Sequence, residues 1–278
     1  MSKVELHFGA ATDVGRVREH NEDSYLAEPP VFVVADGMGG HHGGDVASRI
    51  VAEEFARMAH EGYDRSRGAQ AVTETLRAAQ RRIGEYAEQQ RAGQDDWYAG
   101  TTVVAALLVE DDETDKWLLV NMGDSRIYRI NQGALDQISV DHSLVQELMD
   151  AGVLSPEDAA THPDRHVITR ALGGPELPEP DFFLLPLPSA ERLVLVSDGV
   201  TGMIGDDLLE RILTEATDPR DAADRVVSAA VAAGGNDNAT AVVVDVVGWQ
   251  SRDASYDAEQ QRLSLEEKLG AQPFAREP

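Results

Sequence analysis

The stretch Val31-Phe32-Val33-Val34-Ala35-Asp36-Gly37 decides how this chain reads: an apolar run of strand-forming residues stops at an aspartate followed by glycine. The same grammar returns at Leu193-Val194-Leu195-Val196-Ser197-Asp198-Gly199. A carboxylate at the end of a buried strand is held rigidly at a sheet edge, and the glycine beside it frees the backbone carbonyl for close approach to a ligand. Asp-Gly is also a favoured hairpin turn, which demands a second strand directly after it. Here Met38-Gly39-Gly40-His41-His42-Gly43-Gly44 is too glycine-rich for a strand and runs into a helical pattern with Ala47, Ile50, Val51, Phe55 and Met58 on one face. After Gly199 the chain passes through Thr201-Gly202 into a second helical pattern. Two such strand ends brought together would hold metal.

Outward from these ends, apolar runs predict strands at Val31 to Ala35, Thr101 to Val109, Trp117 to Asn121, Ser125 to Ile130, Arg192 to Ser197 and Thr240 to Val247. Helical periodicity fills Gly44 to His60, Ala69 to Arg91, Leu144 to Ala151, Asp206 to Glu215 and Asp221 to Ala233. The short connection Met122-Gly123-Asp124 suits an antiparallel hairpin between its flanking strands. Paired strands alternating with paired helices favour an α+β chain of layered antiparallel sheets covered by helices over a doubly wound parallel sheet. Asp141 to Leu172, with a Ser155-Pro156-Glu157 helix start and a His162-Pro163 break, suits a mobile flap over a site. The reading is one domain over residues 1–250, with a polar C-terminal tail over 251–278.

Of 278 residues, 50 are acidic and 24 basic, a formal charge of -26, so a phosphate backbone would be repelled and a nucleic-acid binder is excluded. No apolar run approaches the roughly 20 residues that span a bilayer, and Met1 to Ala10 has no apolar signal core. The chain has no cysteine, hence no disulfide and no thiolate metal site, which fits a cytoplasmic protein. Nothing marks an oligomer interface, and a monomer is expected.

The carboxylates that border apolar strands are Glu22 and Asp23, Asp36, Asp124, Asp198 and Asp237. A folded sandwich could gather them at one edge. An all-oxygen donor set without histidine or cysteine selects Mg2+ or Mn2+ over zinc or copper. Their settings are Arg18-Glu19-His20-Asn21-Glu22-Asp23, Ala35-Asp36-Gly37-Met38-Gly39-Gly40-His41, Gly100-Thr101-Thr102, Gly123-Asp124-Ser125-Arg126-Ile127-Tyr128, Asp141-His142-Ser143, Ile168-Thr169-Arg170-Ala171-Leu172-Gly173, Ser197-Asp198-Gly199 and Asp237-Asn238-Ala239-Thr240. In this order, over roughly residues 5 to 247, the chain resembles a bacterial member of the metal-dependent type 2C (PPM) protein serine/threonine phosphatases.

That resemblance implies two stacked antiparallel sheets flanked by helix pairs, a four-layer αββα sandwich. It implies that Asp36 bridges two core metals, that the Gly37 carbonyl binds beside it, and that Asp198 and Asp237 are further ligands. Glu22 would orient metal-bound water, Asp124 with Asp198 would hold a third, weaker ion, and Arg18 would grip the substrate phosphate with its planar fork. The implied chemistry is attack on phosphoserine or phosphothreonine by a water whose pKa the metals lower far below the ~15.7 of bulk water, with no covalent enzyme intermediate. The implied partners are phosphorylated proteins, targets of a serine/threonine kinase. Animal relatives place a histidine after the metal-binding Asp-Gly where this chain has Met38, which leaves His41 as a candidate general acid. In the flap, His166 is a candidate neighbour of the third ion. The competing readings are a relative acting on small phosphorylated metabolites and a catalytically silent signalling module.

Overall fold

The computed structural model describes residues 4–39, 43–90, 98–112 and 114–247. Two five-stranded antiparallel sheets form its centre. In the first, β1 (Glu5–Asp13), β12 (Ala239–Val247), β11 (Arg192–Val196), β8 (Arg126–Asn131) and β9 (Ala134–Gln137) lie side by side. In the second the order is β10 (Asp181–Pro186), β7 (Thr114–Met122), β6 (Val103–Asp111), β3 (Val31–Ala35) and β2 (Ser24–Glu28). β4 (Gly37–Gly39) and β5 (Ala99–Thr101) make a separate two-stranded ribbon.

Alternation along each strand sorts its side chains into three apolar layers. Phe32 and Val34 of β3 face the other sheet, among Trp117, Leu119, Leu193, Leu195 and Val242. Val33 and Ala35 face outward, against Val51 and Phe55 of α1 (Gly43–His60) and Leu76 and Ile83 of α2 (Gly68–Gln90). On the far side Val194, Val196 and Val243 pack on α6 (Asp206–Glu215) and α7 (Pro219–Ala233) through Leu209, Ile212, Val226 and Ala230. Burial on both faces explains why β3 reads as an unbroken apolar run, and truncating Phe32 to alanine would cost about 3–5 kcal/mol. The α+β sandwich expected from the sequence is the one observed.

Two expectations change. Gly37–Gly39, read as too glycine-rich for a strand, pairs with β5 in register Gly37 to Thr101. Trp117 to Asn121 and Ser125 to Ile130 do not form a hairpin: β7 pairs with β6 and β10, and β8 with β11 and β9. Met122-Gly123-Asp124 instead carries the chain from one sheet to the other. Gly123 has φ of 121°, and a Cβ there would lie 2.6 Å from the side chain of Thr102, so only glycine makes this crossing.

Residues 141–172 carry α3 (Leu144–Asp150) and α4 (Pro156–Ala159), capped by the Ser143 and Ser155 hydroxyls. Their neck is closed by Thr169 N–H on the His142 carbonyl at 2.8 Å, and by the pairing of Leu172 with Thr101. α5 (Asp198–Thr201) follows β11 directly. Among the described residues no helix is long and apolar enough to cross a membrane.

Candidate metal centre

The ends of β3, β7 and β11 and the start of β12 meet at one edge of the sandwich, and each delivers a carboxylate. Asp36 leaves β3 with its backbone fixed on both sides: its N–H donates to Thr102 Oγ1 at 3.1 Å, and its carbonyl accepts from Thr101 Oγ1 and Thr102 N–H at 2.9 Å each. Thr102 Oγ1 also lies 2.8 Å from Ser125 Oγ, so one threonine ties the Asp36 loop to the Asp124 turn. Gly37 N–H donates to the Glu22 carbonyl at 3.2 Å, and the Glu22 carboxyl lies over Gly44 at the start of α1.

The carboxyl groups of Asp36 and Asp198 face each other within hydrogen-bonding reach. Burial pushes Asp36 well above the usual carboxylate range, reinforced by the charges of Asp23, Asp198 and Asp124. Asp124, raised to about 7, is buried and faces Asp198 and Asp141, and its Oδ1 has no hydrogen-bond partner. Asp198 is raised by burial and by Asp237, against the opposing pull of its bond to Asp36 and of His166 and Arg18. Asp23 belongs to the same cluster, a placement its sequence neighbourhood shared with Glu22 did not distinguish. Its Oδ2 accepts from Ser197 Oγ at 2.8 Å and Thr240 Oγ1 at 2.7 Å, and its Oδ1 is buried without a partner. Burial outweighs those two bonds and raises it to about 7.

Arg18 and Asp237 lie at the rim, joined by Nη2 to Oδ2 at 2.7 Å, with about half of the Arg18 side chain exposed. That bond raises the guanidinium further above its ordinary value, with Glu22 and Asp198 adding to it. Asn238 organises this rim, a role the sequence did not signal. Its Nδ2 donates to the Val14 and His20 carbonyls at 2.9 Å each, while Oδ1 accepts Glu22 N–H at 2.8 Å. One buried amide thus sets the loop that carries both Arg18 and Glu22. His166 is exposed, within electrostatic reach of Asp198. His41 lies outside the described residues.

The arrangement fits hard divalent cations. Asp23, Asp36, Asp124 and Asp198 crowd together with two buried oxygens unpartnered, and every donor is oxygen. Among the described residues no three acidic or imidazole groups converge in ligating geometry as they stand. Asp36 and Asp198 are turned onto each other.

A family model for protein phosphatase 2C matches residues 16–233. The chain belongs to the protein phosphatase 2C family. The serine/threonine phosphatase Stp of Listeria monocytogenes is 35% identical over 263 residues, covering 90% of this chain and 100% of that protein. The serine/threonine protein phosphatase PstP of Mycobacterium tuberculosis is 36% identical over 246 residues, 88% of this chain but 46% of PstP. Among solved structures, the PstP catalytic domain in complex with two manganese ions superposes with a TM-score of 0.76 at 34% identity, covering 88% of this phosphatase 2C chain and 100% of that chain.

Proposed function

We propose that this chain is a metal-dependent protein phosphatase that hydrolyses phosphoserine and phosphothreonine esters at the edge where Asp36 and Asp198 meet. The observation that carries the reading is that carboxyl pair, flanked by Asp23 and Asp124 and overlooked by a half-exposed arginine. In this reading Asp36, the Gly37 carbonyl, Asp198 and Asp237 hold two Mn2+ or Mg2+ ions, Asp124 with Asp198 takes a weaker third, and Glu22 orients water. When bound, such ions supply a water nucleophile at neutral pH and offset the charge that develops on the phosphoryl oxygens.

The chain's own groups do the rest. The Arg18–Asp237 pair is open to solvent and worth little as a salt bridge, so an incoming phosphate dianion displaces Asp237 at small cost and gains a bidentate partner. Burial and the neighbouring carboxylates favour the protonated form of Asp36, so cations compete with protons here and occupancy of the site depends on pH. The polypeptide attacks nothing and forms no covalent intermediate. Asp141, held by the Arg126 fork through Nε at 2.9 Å and Nη2 at 2.7 Å, stays behind Asp124 as fixed negative charge.

The substrates in this reading are phosphorylated proteins opposed to a serine/threonine kinase, met by a monomeric, cytoplasmic enzyme. Hydrolysis of p-nitrophenyl phosphate and of phosphothreonine peptides, with and without Mn2+, tests it beside Asp198→Ala. Turnover should require Mn2+ and collapse in the variant. Turnover that survives EDTA or Asp198→Ala defeats the site, and a wild type inert on every phosphopeptide favours the silent module.

A further inference from the structure

Asp141-His142-Ser143 supplies a buried imidazole that the chemistry above does not use. His142 is 6% exposed and stands at the neck of the 141–172 segment. Its Nδ1 accepts the Gly123 N–H at 3.1 Å, while its own backbone N–H donates to the Gly123 carbonyl at 2.9 Å. Gly123 is therefore gripped from both sides by one residue, and the next residue in the chain is Asp124. Because the amide is a donor, Nδ1 is the accepting nitrogen, and Nε2 lies 3.4 Å from Asp181 Oδ2 and 3.3 Å from Arg170 Nη1. Arg170 Nη1 shares that carboxylate through Oδ1 at 3.2 Å. The other side of the residue holds the flap: its carbonyl takes the Thr169 N–H at 2.8 Å, and Ser143 pairs with Ile168.

We propose that His142 is a positioning residue for Asp124, fixing the crossing turn that presents this carboxylate and joining it to the base of the 141–172 segment. The turn needs such a support, since Gly123 is in the left-handed region and Asp124 Oδ1 has no protein donor to orient it. A buried histidine that served packing alone would not have to place an acceptor on Gly123. The proposal rests on reading Asp124 as a cation ligand. Groups that orient ligands from behind carry roughly 10–100-fold of metal affinity.

The test compares His142→Asn, His142→Gln and His142→Ala in the whole chain, titrating Mn2+ and counting the free ion by electron paramagnetic resonance. Asparagine places its Oδ1 where Nδ1 was and keeps the Gly123 bond; glutamine keeps only the reach to Asp181. Affinity at the weakest Mn2+ site should fall about tenfold in the Gln and Ala variants and stay within about threefold in the Asn variant. Melting in EDTA reports folding separately, and if the Ala variant does not fold the Asn–Gln pair still decides. Wild-type Mn2+ binding in a folded Gln variant, or equal losses in Asn and Gln, overturns the proposal. The expected order of Mn2+ binding without any wild-type turnover would defeat the phosphatase reading and leave this role standing.

Discussion

Asp36-Gly37 and Asp198-Gly199 begin with one sequence grammar and finish as different structures. Past Asp36 the chain stays extended and Gly37 opens β4, whereas Asp198 is the first residue of helix α5. Neither glycine has a left-handed φ, so neither is present for a turn. What each does is admit a neighbouring backbone. A Cβ at position 37 would lie 2.3 Å from the Gly44 carbonyl oxygen and 2.5 Å from that of Glu22, and one at 199 would lie 1.8 Å from the carbonyl oxygen of Asn238. Each Asp-Gly thus draws in a second segment with its own carboxylate, Glu22 in one case and Asp237 in the other. Both carboxyls are pushed above the usual carboxylate range by burial, Asp36 further by Asp23, Asp198 and Asp124, and Asp198 against the opposing pull of its contact with Asp36.

The sharpest way to break this comparison is to delete each carboxylate. Asp36→Ala should remove Mn2+-dependent turnover by on the order of 10³-fold or more and abolish tight Mn2+ binding in calorimetry. Asp198→Ala should lose as much turnover while keeping measurable Mn2+ heat; equal binding in the two variants would erase the distinction.

The glycines come next. Gly199→Ala should destabilise the fold by about 1–3 kcal/mol, and Gly37→Ala by less, because its nearest backbone clash, 2.3 Å from the Gly44 carbonyl oxygen, is milder than the 1.8 Å from that of Asn238. Denaturant midpoints in that order support the packing account.

Acidity gives a smaller, signed effect. Asp23 and Asp124 sit at about 7, against about 3.9 in an unfolded chain. Between those values the folded chain binds more protons than the unfolded one, so stability in EDTA should fall as pH rises from about 4 through 7. With saturating Mn2+ the slope should reverse, because the ion binds the deprotonated groups. Melting scans at pH 5 and pH 8 with and without metal check both signs; parallel slopes would count against a cation at this edge.

The smallest effect isolates the Asp36–Asp198 pair. Asp36→Asn keeps a donor toward Asp198 and removes the charge, so it should flatten the pH dependence in EDTA more than Asp198→Asn does. Equal flattening would mean that the two carboxyls contribute alike to the pH dependence.

Within the two five-stranded sheets, the strands the sequence revealed, β3, β6, β7, β8, β11 and β12, are those with a partner on both sides, and the four it concealed there, β1, β2, β9 and β10, are the sheet edges. The cause is burial. Val31–Ala35 is buried at every position and leaves an unmistakable apolar run, while β2 buries only Leu26. Among the candidate residues, Asp36 and Asp198 were legible because each follows such a run. Asp23 was indistinguishable from Glu22, since adjacent residues point to opposite sides and no local pattern says which side faces the site. Asn238 was invisible as an organiser, because its partners, Val14, His20 and Glu22, are more than 200 residues away in the chain.

By itself, then, the sequence determined the composition of the site, an oxygen-only set of carboxylates at strand ends without cysteine, and the six central strands that carry it. Those are local facts, encoded by residue type and by spacing. The tertiary structure decided that Met122-Gly123-Asp124 crosses between sheets instead of turning back, that Asp23 joins the cluster, and that Asp36 and Asp198 face each other. Each of these depends on which distant backbone arrives alongside, and on a field set by several buried carboxylates at once, which no single segment of the chain contains.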